Sequence, residues 1–345
     1  MGGRTGVRVL SFAVALAAVG CSPARESGAA QGASSRAPSA ASPGTTGSLA
    51  TASPTAAPPS DATGRGPLPQ PPRSAAAIKT WVYQLQGYPN GRLDALARAP
   101  AHLAVIDLAR DAKADFFRPD EIDALRGTGK TVLAYFEIGS IETFRPEYGP
   151  LREQTPDLIL NRWSDWPDEY FVRYWDPRWW DRVVRPRVDQ AIRAGFDGVY
   201  LDTPLAYEEL DLSMVRGESR DSLARKMVGL ISRISSYAKS QRATVWIVPQ
   251  NSPELRDHPG YIEAIDGIGM EELFFQATDE PCEQDFCTEN LDNARALRDA
   301  GKLVLAVDYA TRPENVRTAC NRYRDERFAG YVGVRDLDRI STPCP

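Results

Sequence analysis

Histidine is almost missing from this chain of 345 residues: His102 and His258 are the only two. Cysteine is scarce too, with five residues and no C-x-x-C pair. Those two shortages argue against a zinc site, which needs three or four such ligands at close spacing. No G-x-G-x-x-G turn follows the first apolar run of the folded part, so the dinucleotide-binding fingerprint is absent. Positive charge is not in excess either: 41 Lys and Arg face 46 Asp and Glu, a formal charge of −5. The first 77 residues hold six Arg and two acids, which leaves 35 basic against 44 acidic residues and −9 for the remainder. With no basic field to displace counterions, nucleic-acid binding is not expected.

What is present begins at the N-terminus. Arg4 and Arg8 precede an apolar run from Val9 to Val19 that is too short to span a bilayer, and Gly20-Cys21 follows. This resembles a bacterial lipoprotein signal, so residues 1–20 are expected to be removed and Cys21 lipidated. The protein is then exported and held at a membrane, on the periplasmic or cell-surface side, by its lipid. Residues 21–77 are Ala, Ser, Pro, Gly and Thr with few large apolar side chains. Such a segment cannot bury enough surface to offset its ordering entropy and reads as a disordered tether. Export also fits Cys282, Cys287, Cys320 and Cys344, an even set that allows up to two disulfides. Cys282 and Cys287 could close a small loop, but the spacing leaves the pairing open.

From residue 78 to 345 short apolar runs alternate with helical stretches. The candidate strands are 80–86, 102–109, 130–139, 198–203, 244–251, 265–272, 303–310 and 330–337. Asp176-Pro177 is a helix start, Gly195 a stop, and Pro186 between them predicts a kink. Leu223, Met227, Leu230, Ile231 and Ile234 form one helix face. Eight strands with intervening helices in about 265 residues point to an α/β fold of the (β/α)8 TIM-barrel type, monomeric, with an open doubly wound sheet as the rival.

In such a barrel the chemistry gathers at the C-terminal strand ends. Those ends carry Asp107, Glu137, Asp202, Gln250-Asn251, Glu271-Glu272 and Asp308-Tyr309. One acid at a strand tip reads as a structural ion pair; acids at nearly every tip read as a polar cleft. Strand alternation puts Asp202 on the face of Tyr200 and Gly198, and Glu271 on the face of Gly267 and Gly269, leaving Glu272 at the rim. Two carboxyl groups across a cleft are the minimum for cutting a glycosidic bond, one as acid and one as nucleophile or base. Asp202 and Glu271 are the candidates, while Asp107, Glu137, Gln250, Asn251, Asp308 and Tyr309 would hold a polysaccharide. The aromatic stretch RWSDWPDEYFVRYWDP before the fourth strand reads as a long connection suited to packing against sugars.

These residues fall in recognisable stretches. AYFEIGSIETFRP, FVRYWDPRWW, GFDGVYLDT, VPQNSPEL, IDGIGMEELFF, AGKLVLAVDY and GYVGVRDLDRI resemble, in order, the motifs of glycoside hydrolases related to endo-α-1,4-polygalactosaminidases, glycoside hydrolase family 114. The resemblance implies a TIM-barrel glycosidase with no metal or organic cofactor, acting on α-1,4-linked galactosamine-containing polysaccharide. It implies Asp202 and Glu271 as the catalytic pair, and the Cys282/Cys287 spacing resembles a cysteine pair of some members. Two positions depart from the pattern: Thr203 stands where fungal-type members have Asn, and Asp308-Tyr309 where they have Glu-Tyr. A carbohydrate-binding lipoprotein that kept the barrel without turnover is the alternative.

Overall fold

The computed structural model describes residues 74–344. The expected signal, Cys21 and the tether as far as residue 73 lie outside the described residues, and a 3-10 turn at Ala75–Ala77 leads into the first strand. Eight parallel strands dominate: β1 (Trp81–Gln84), β2 (Leu103–Asp107), β3 (Thr131–Glu137), β7 (Gly198–Asp202), β8 (Trp246–Pro249), β9 (Gly267–Glu271), β12 (Leu303–Tyr309) and β13 (Ala329–Gly333). The intervening numbers belong to β4 (Ser140–Glu142), β5 (Ile159–Arg162), β6 (Glu169–Val172), β10 (Phe275–Gln276) and β11 (Glu280–Pro281). Every expected strand is found, trimmed by one to four residues at its ends, and the last begins one residue earlier than expected, at Ala329.

The parallel strands pair as a five-stranded sheet, β1-β2-β3-β7-β8, and a three-stranded one, β13-β12-β9. Parallel bridges Thr80–Gly330 and Gln250–Gly269 join their free edges. Adjacency therefore runs round all eight strands and returns to the first. All eight are almost entirely buried, as continuous apolar runs between two covered faces must be. The middle is filled by aromatic rings: Trp81 lies 5.4 Å from Tyr83 and 5.9 Å from Tyr331, and Tyr200 lies 5.4 Å from Tyr83, centre to centre. Outside, the helix Arg220–Gln241 buries Leu223, Met227, Leu230, Ile231 and Ile234, the face its spacing predicts.

The Asp176 carboxylate caps its helix through the Arg178 N–H at 2.8 Å, and Gly195 ends it at φ 89°. Pro186 has no N–H to give, and the segment before it, Trp180–Val184, widens into a π-turn. The aromatic connection holds more order than expected. Residues 140–172 form a small antiparallel sheet, β4-β6-β5, that stands over the C-terminal ends of the parallel strands. Its strands of three or four residues are too short to show alternation in the sequence.

Two disulfides, Cys282–Cys287 and Cys320–Cys344, settle the pairing. The second ties the C-terminal tail to the helix Pro313–Glu326 across 24 residues. Replacing Cys320 and Cys344 together by Ser should lower stability by about 3 kcal/mol, measured by denaturant unfolding. A change below about 1 kcal/mol would mean that packing alone holds the tail.

Candidate active site

Asp202 ends β7 and Glu271 ends β9, with only β8 between them. Strand spacing puts their backbones about 10 Å apart at the same end of the sheet. That common height has a local cause repeated in the sequence. Five residues before each acid is an Asp followed by Gly: Asp197-Gly198 and Asp266-Gly267. The Asp197 carboxylate accepts the Val132 N–H of β3 at 2.9 Å, and the Asp266 carboxylate accepts the Ile247 N–H of β8, also at 2.9 Å. Each Gly then lets a neighbouring backbone come close: a Cβ on Gly198 would stand 2.5 Å from the Trp246 carbonyl oxygen, and one on Gly267 2.7 Å from that of Leu303. The spacing Asp-Gly-three residues-acid thus sets the register twice. Sequence reading saw both stretches without seeing that they match.

At both tips the chain turns sharply. Thr203 and Glu272, the residues after the two acids, have φ 60° and 57°. A β-branched residue is strained there. Thr203 is held by its hydroxyl, which accepts from the Gly139 N–H at 3.0 Å and from Ser140 at 2.8 Å and donates to the Asp202 carbonyl at 2.8 Å. This is what the departure from Asn at that position amounts to.

Each acid has its own donors. The Asp202 carboxylate accepts the Tyr135 hydroxyl and, at 2.6 Å, the Thr203 N–H. Glu271 accepts Tyr309 on one oxygen, and Gln250 and Asn251 (3.0 Å) on the other. The same Asn251 amide accepts the Glu271 N–H at 3.0 Å, so it fixes both backbone and side chain. Tyr83 donates to Gln250 at 3.0 Å. Burial and nearby carboxylates keep the phenols of Tyr83, Tyr135 and Tyr309 well above their ordinary value, so they remain donors. Burial first, then the Glu271 charge, pushes the Asp202 carboxyl up to about 7 against the pull of Tyr135 and Thr203.

Gln250, Asn251 and Tyr309 thus converge on Glu271. Asp107, Glu137 and Asp308 are each 1 % exposed or less, and their oxygens are engaged elsewhere. Arg145 grips Asp107 at 2.9 and 3.1 Å, Glu137 at 2.5 Å and Glu142 at 2.8 Å, while Arg187 grips Glu137 at 2.8 Å and Glu147 at 3.0 Å. The two guanidinium groups hold the Glu137 carboxyl far below the usual range, and burial beside Glu137 holds Glu142 well above it. Asp308 accepts the N–H groups of Phe274 and Phe275, both at 2.8 Å, together with the Tyr323 hydroxyl, and so pins the loop after Glu271. Glu272 accepts the Ala277 N–H at 2.9 Å, and burial beside Glu271 pushes its carboxyl up to about 7.

Three groups escaped sequence reading. Arg145 and Arg187 come from the connection and the helix behind it, where nothing marks an Arg as buried. Glu169 on β6 is 6 % exposed, and burial and the Asp202 charge hold its carboxyl well above the ordinary value. At the rim, Tyr207 touches both Glu208 (2.9 Å) and Glu254, which joins the loops after β7 and β8. Trp166 remains 39 % exposed, its ring 5.6 Å from the Arg335 guanidinium. Among the described residues no group of three His, Cys, Asp or Glu side chains is arranged to hold a metal ion.

Two carboxyl groups at strand ends on either side of one strand, each caged by donors, are the equipment of a glycoside hydrolase. The model of the glycoside-hydrolase family GH114 matches residues 60–345, and the chain belongs to that family. An uncharacterized protein of Deinococcus radiodurans is 32% identical over 292 residues, covering 81% of this chain and 92% of the relative. Another, MJ1477 of Methanocaldococcus jannaschii, is 29% identical over 277 residues, 76% of this chain and 78% of that one. The fold is shared with the glycoside hydrolase domain of PelA from Pseudomonas aeruginosa (TM-score 0.60, 17% identity, 77% of this chain and 98% of that one). It is shared also with Aspergillus fumigatus Ega3, solved in complex with galactosamine (TM-score 0.59, 16% identity, 81% and 100%).

Proposed function

We propose that this protein is an exported, lipid-anchored glycosidase that cuts α-1,4-linked galactosamine-containing polysaccharide within the chain, on a closed (β/α)8 barrel. Supporting the barrel is the unbroken adjacency of the eight parallel strands; supporting the anchor is the N-terminal signal ending at Cys21. The observation that carries the activity is that Asp202 and Glu271 end parallel strands on either side of one strand, at the same end of the sheet. Asp202 acts as nucleophile or base and Glu271 as general acid and base. The ionised Asp202 is received by its own donors, the Tyr135 hydroxyl and the Thr203 N–H. Gln250, Asn251 and Tyr309 aim Glu271 at the glycosidic oxygen, whereas Asp107, Glu137 and Asp308 brace the walls.

An amino-sugar polymer fits the rim, where Glu208, Glu254 and Glu272, their carboxyls raised by burial, offer hydrogen-bonding groups to its hydroxyl and amino substituents, and Trp166 offers an exposed ring. The complex of Ega3 with galactosamine supports the same substrate class. The test is incubation of the full-length protein with galactosamine oligosaccharides, acetylated and deacetylated, with products analysed by mass. Shorter oligomers from internal cuts are expected. Binding without any product would transfer the protein to the carbohydrate-binding reading.

The raised Asp202 carboxyl sets a pH dependence. Asp202 acts in its ionised form, and burial with the Glu271 charge pushes its carboxyl up to about 7. The expected result is a kcat/KM that rises about tenfold per pH unit below that point. A rate already level at pH 5 would refute the raised Asp202 carboxyl.

A further inference from the structure

Four buried tyrosines surround the two acids, and three give their hydroxyl to the pair or to what holds it. Tyr135 serves Asp202, Tyr309 serves Glu271, and Tyr83 serves Gln250. The fourth, Tyr200, is 0 % exposed, and its Oη has no protein partner. Tyr200 lies on β7 two residues before Asp202, its ring centre 5.4 Å from that of Tyr83 and 6.4 Å from that of Tyr135. Its hydroxyl rests on the α-carbon of Gly269, where a methyl group would come within 1.9 Å of it. Gly269 is on β9, two residues before Glu271. The side chain thus starts beneath one acid, passes β8 and ends beneath the other. Both acids act on its phenol electrostatically and, with burial, keep it protonated.

A buried hydroxyl without a partner costs stability, and phenylalanine in the same place would avoid that cost. The chain nevertheless places a hydroxyl here and clears a side chain from position 269 to admit it. We propose that Tyr200 is a positioning residue whose hydroxyl turns toward whichever of the two carboxylates carries the charge during turnover. This rests on the hydrolase reading. In a two-step displacement, Asp202 bonds the anomeric carbon while Glu271 gives its proton to the departing oxygen, so the negative charge passes from Asp202 to Glu271. When water attacks, Glu271 takes its proton, the bond to Asp202 breaks, and the charge returns. Tyr135, Tyr309, Gln250 and Asn251 each stay with one acid. A hydroxyl beneath Glu271 and in the field of both acids, free to rotate about its C–O bond, can follow the charge with little rearrangement.

The test is Tyr200→Phe in the full-length protein. A Tm equal to or above that of the parent is expected, with kcat lower by about 10- to 100-fold and KM within about threefold. The rise in rate with pH should also move to higher pH, because loss of a donor to a carboxylate favours its protonated form. Parental kcat with a parental pH profile would overturn the proposal, and so would a lower Tm with kcat unchanged. Should the parent cleave no amino-sugar polymer, the hydrolase reading fails by itself, and Tyr200 is then judged by NMR titration of the side-chain carboxyls. An upward shift of the Asp202 titration in Tyr200→Phe supports the placement of its hydroxyl, and an unchanged titration refutes it.

Discussion

Asp202→Asn and Glu271→Gln should each lower cleavage by about 10³-fold or more while leaving the fold intact. The two differ in stability. Burial lifts the folded Asp202 carboxyl to about 7, above its value in an unfolded chain. The native state therefore binds this proton more tightly than the unfolded state does. Its contribution to stability is greatest at low pH, declines as pH rises from about 4 to 7, and is gone above that. Asn removes the penalty, so Asp202→Asn should gain about 1–2 kcal/mol at pH 8 and little at pH 4, read from Tm at the two values. Full activity in either variant would remove that acid from the mechanism. A stability loss at pH 8 would show that its hydrogen bonds to Tyr135 and the Thr203 N–H outweigh its burial.

The second large effect is on folding. Arg145 is 7 % exposed and reaches Asp107, Glu137 and Glu142, residues brought together from β2, β3 and β4. Removing one partner of a buried ionic cluster leaves charges with neither water nor a counterion. Arg145→Met should cost about 3–5 kcal/mol at neutral pH, measured by denaturant unfolding. The loss should shrink toward pH 5, because the stranded carboxyls then take up protons and the native state holds those more tightly. A cost below about 1 kcal/mol, or one independent of pH, would mean that Arg187 and protonated Glu142 suffice to balance the cluster. Whatever happens to stability, Glu137 is the register partner of Asp202, so collapse of this cluster should also reach the active pair.

The sequence made the eight strands legible because a strand buried on both faces is a run of apolar residues closed by a polar tip. Asp202 and Glu271 were legible for the same reason, helped by the small residues on their inward face. Which of the other tip acids stay free was not legible. Asp107 and Glu137 look the same as Asp202 in one dimension, and what separates them is Arg145, 38 residues from Asp107, and Arg187, 50 residues from Glu137. Such partners are chosen by the fold and leave no local signal. The left-handed turn at Thr203 was hidden likewise, because its support comes from Gly139 and Ser140 on another strand.

The matched Asp-Gly spacings carry a consequence for how this protein can change. Each acid is aimed by a count of residues from an anchor at the far end of its own strand. Inserting one residue between Gly198 and Asp202, or between Gly267 and Glu271, would turn that carboxylate outward to the helices while every anchor stayed in place. Loops around the mouth can lengthen or vanish and alter what the enzyme grips. The two short rulers beneath it do not tolerate a change of length.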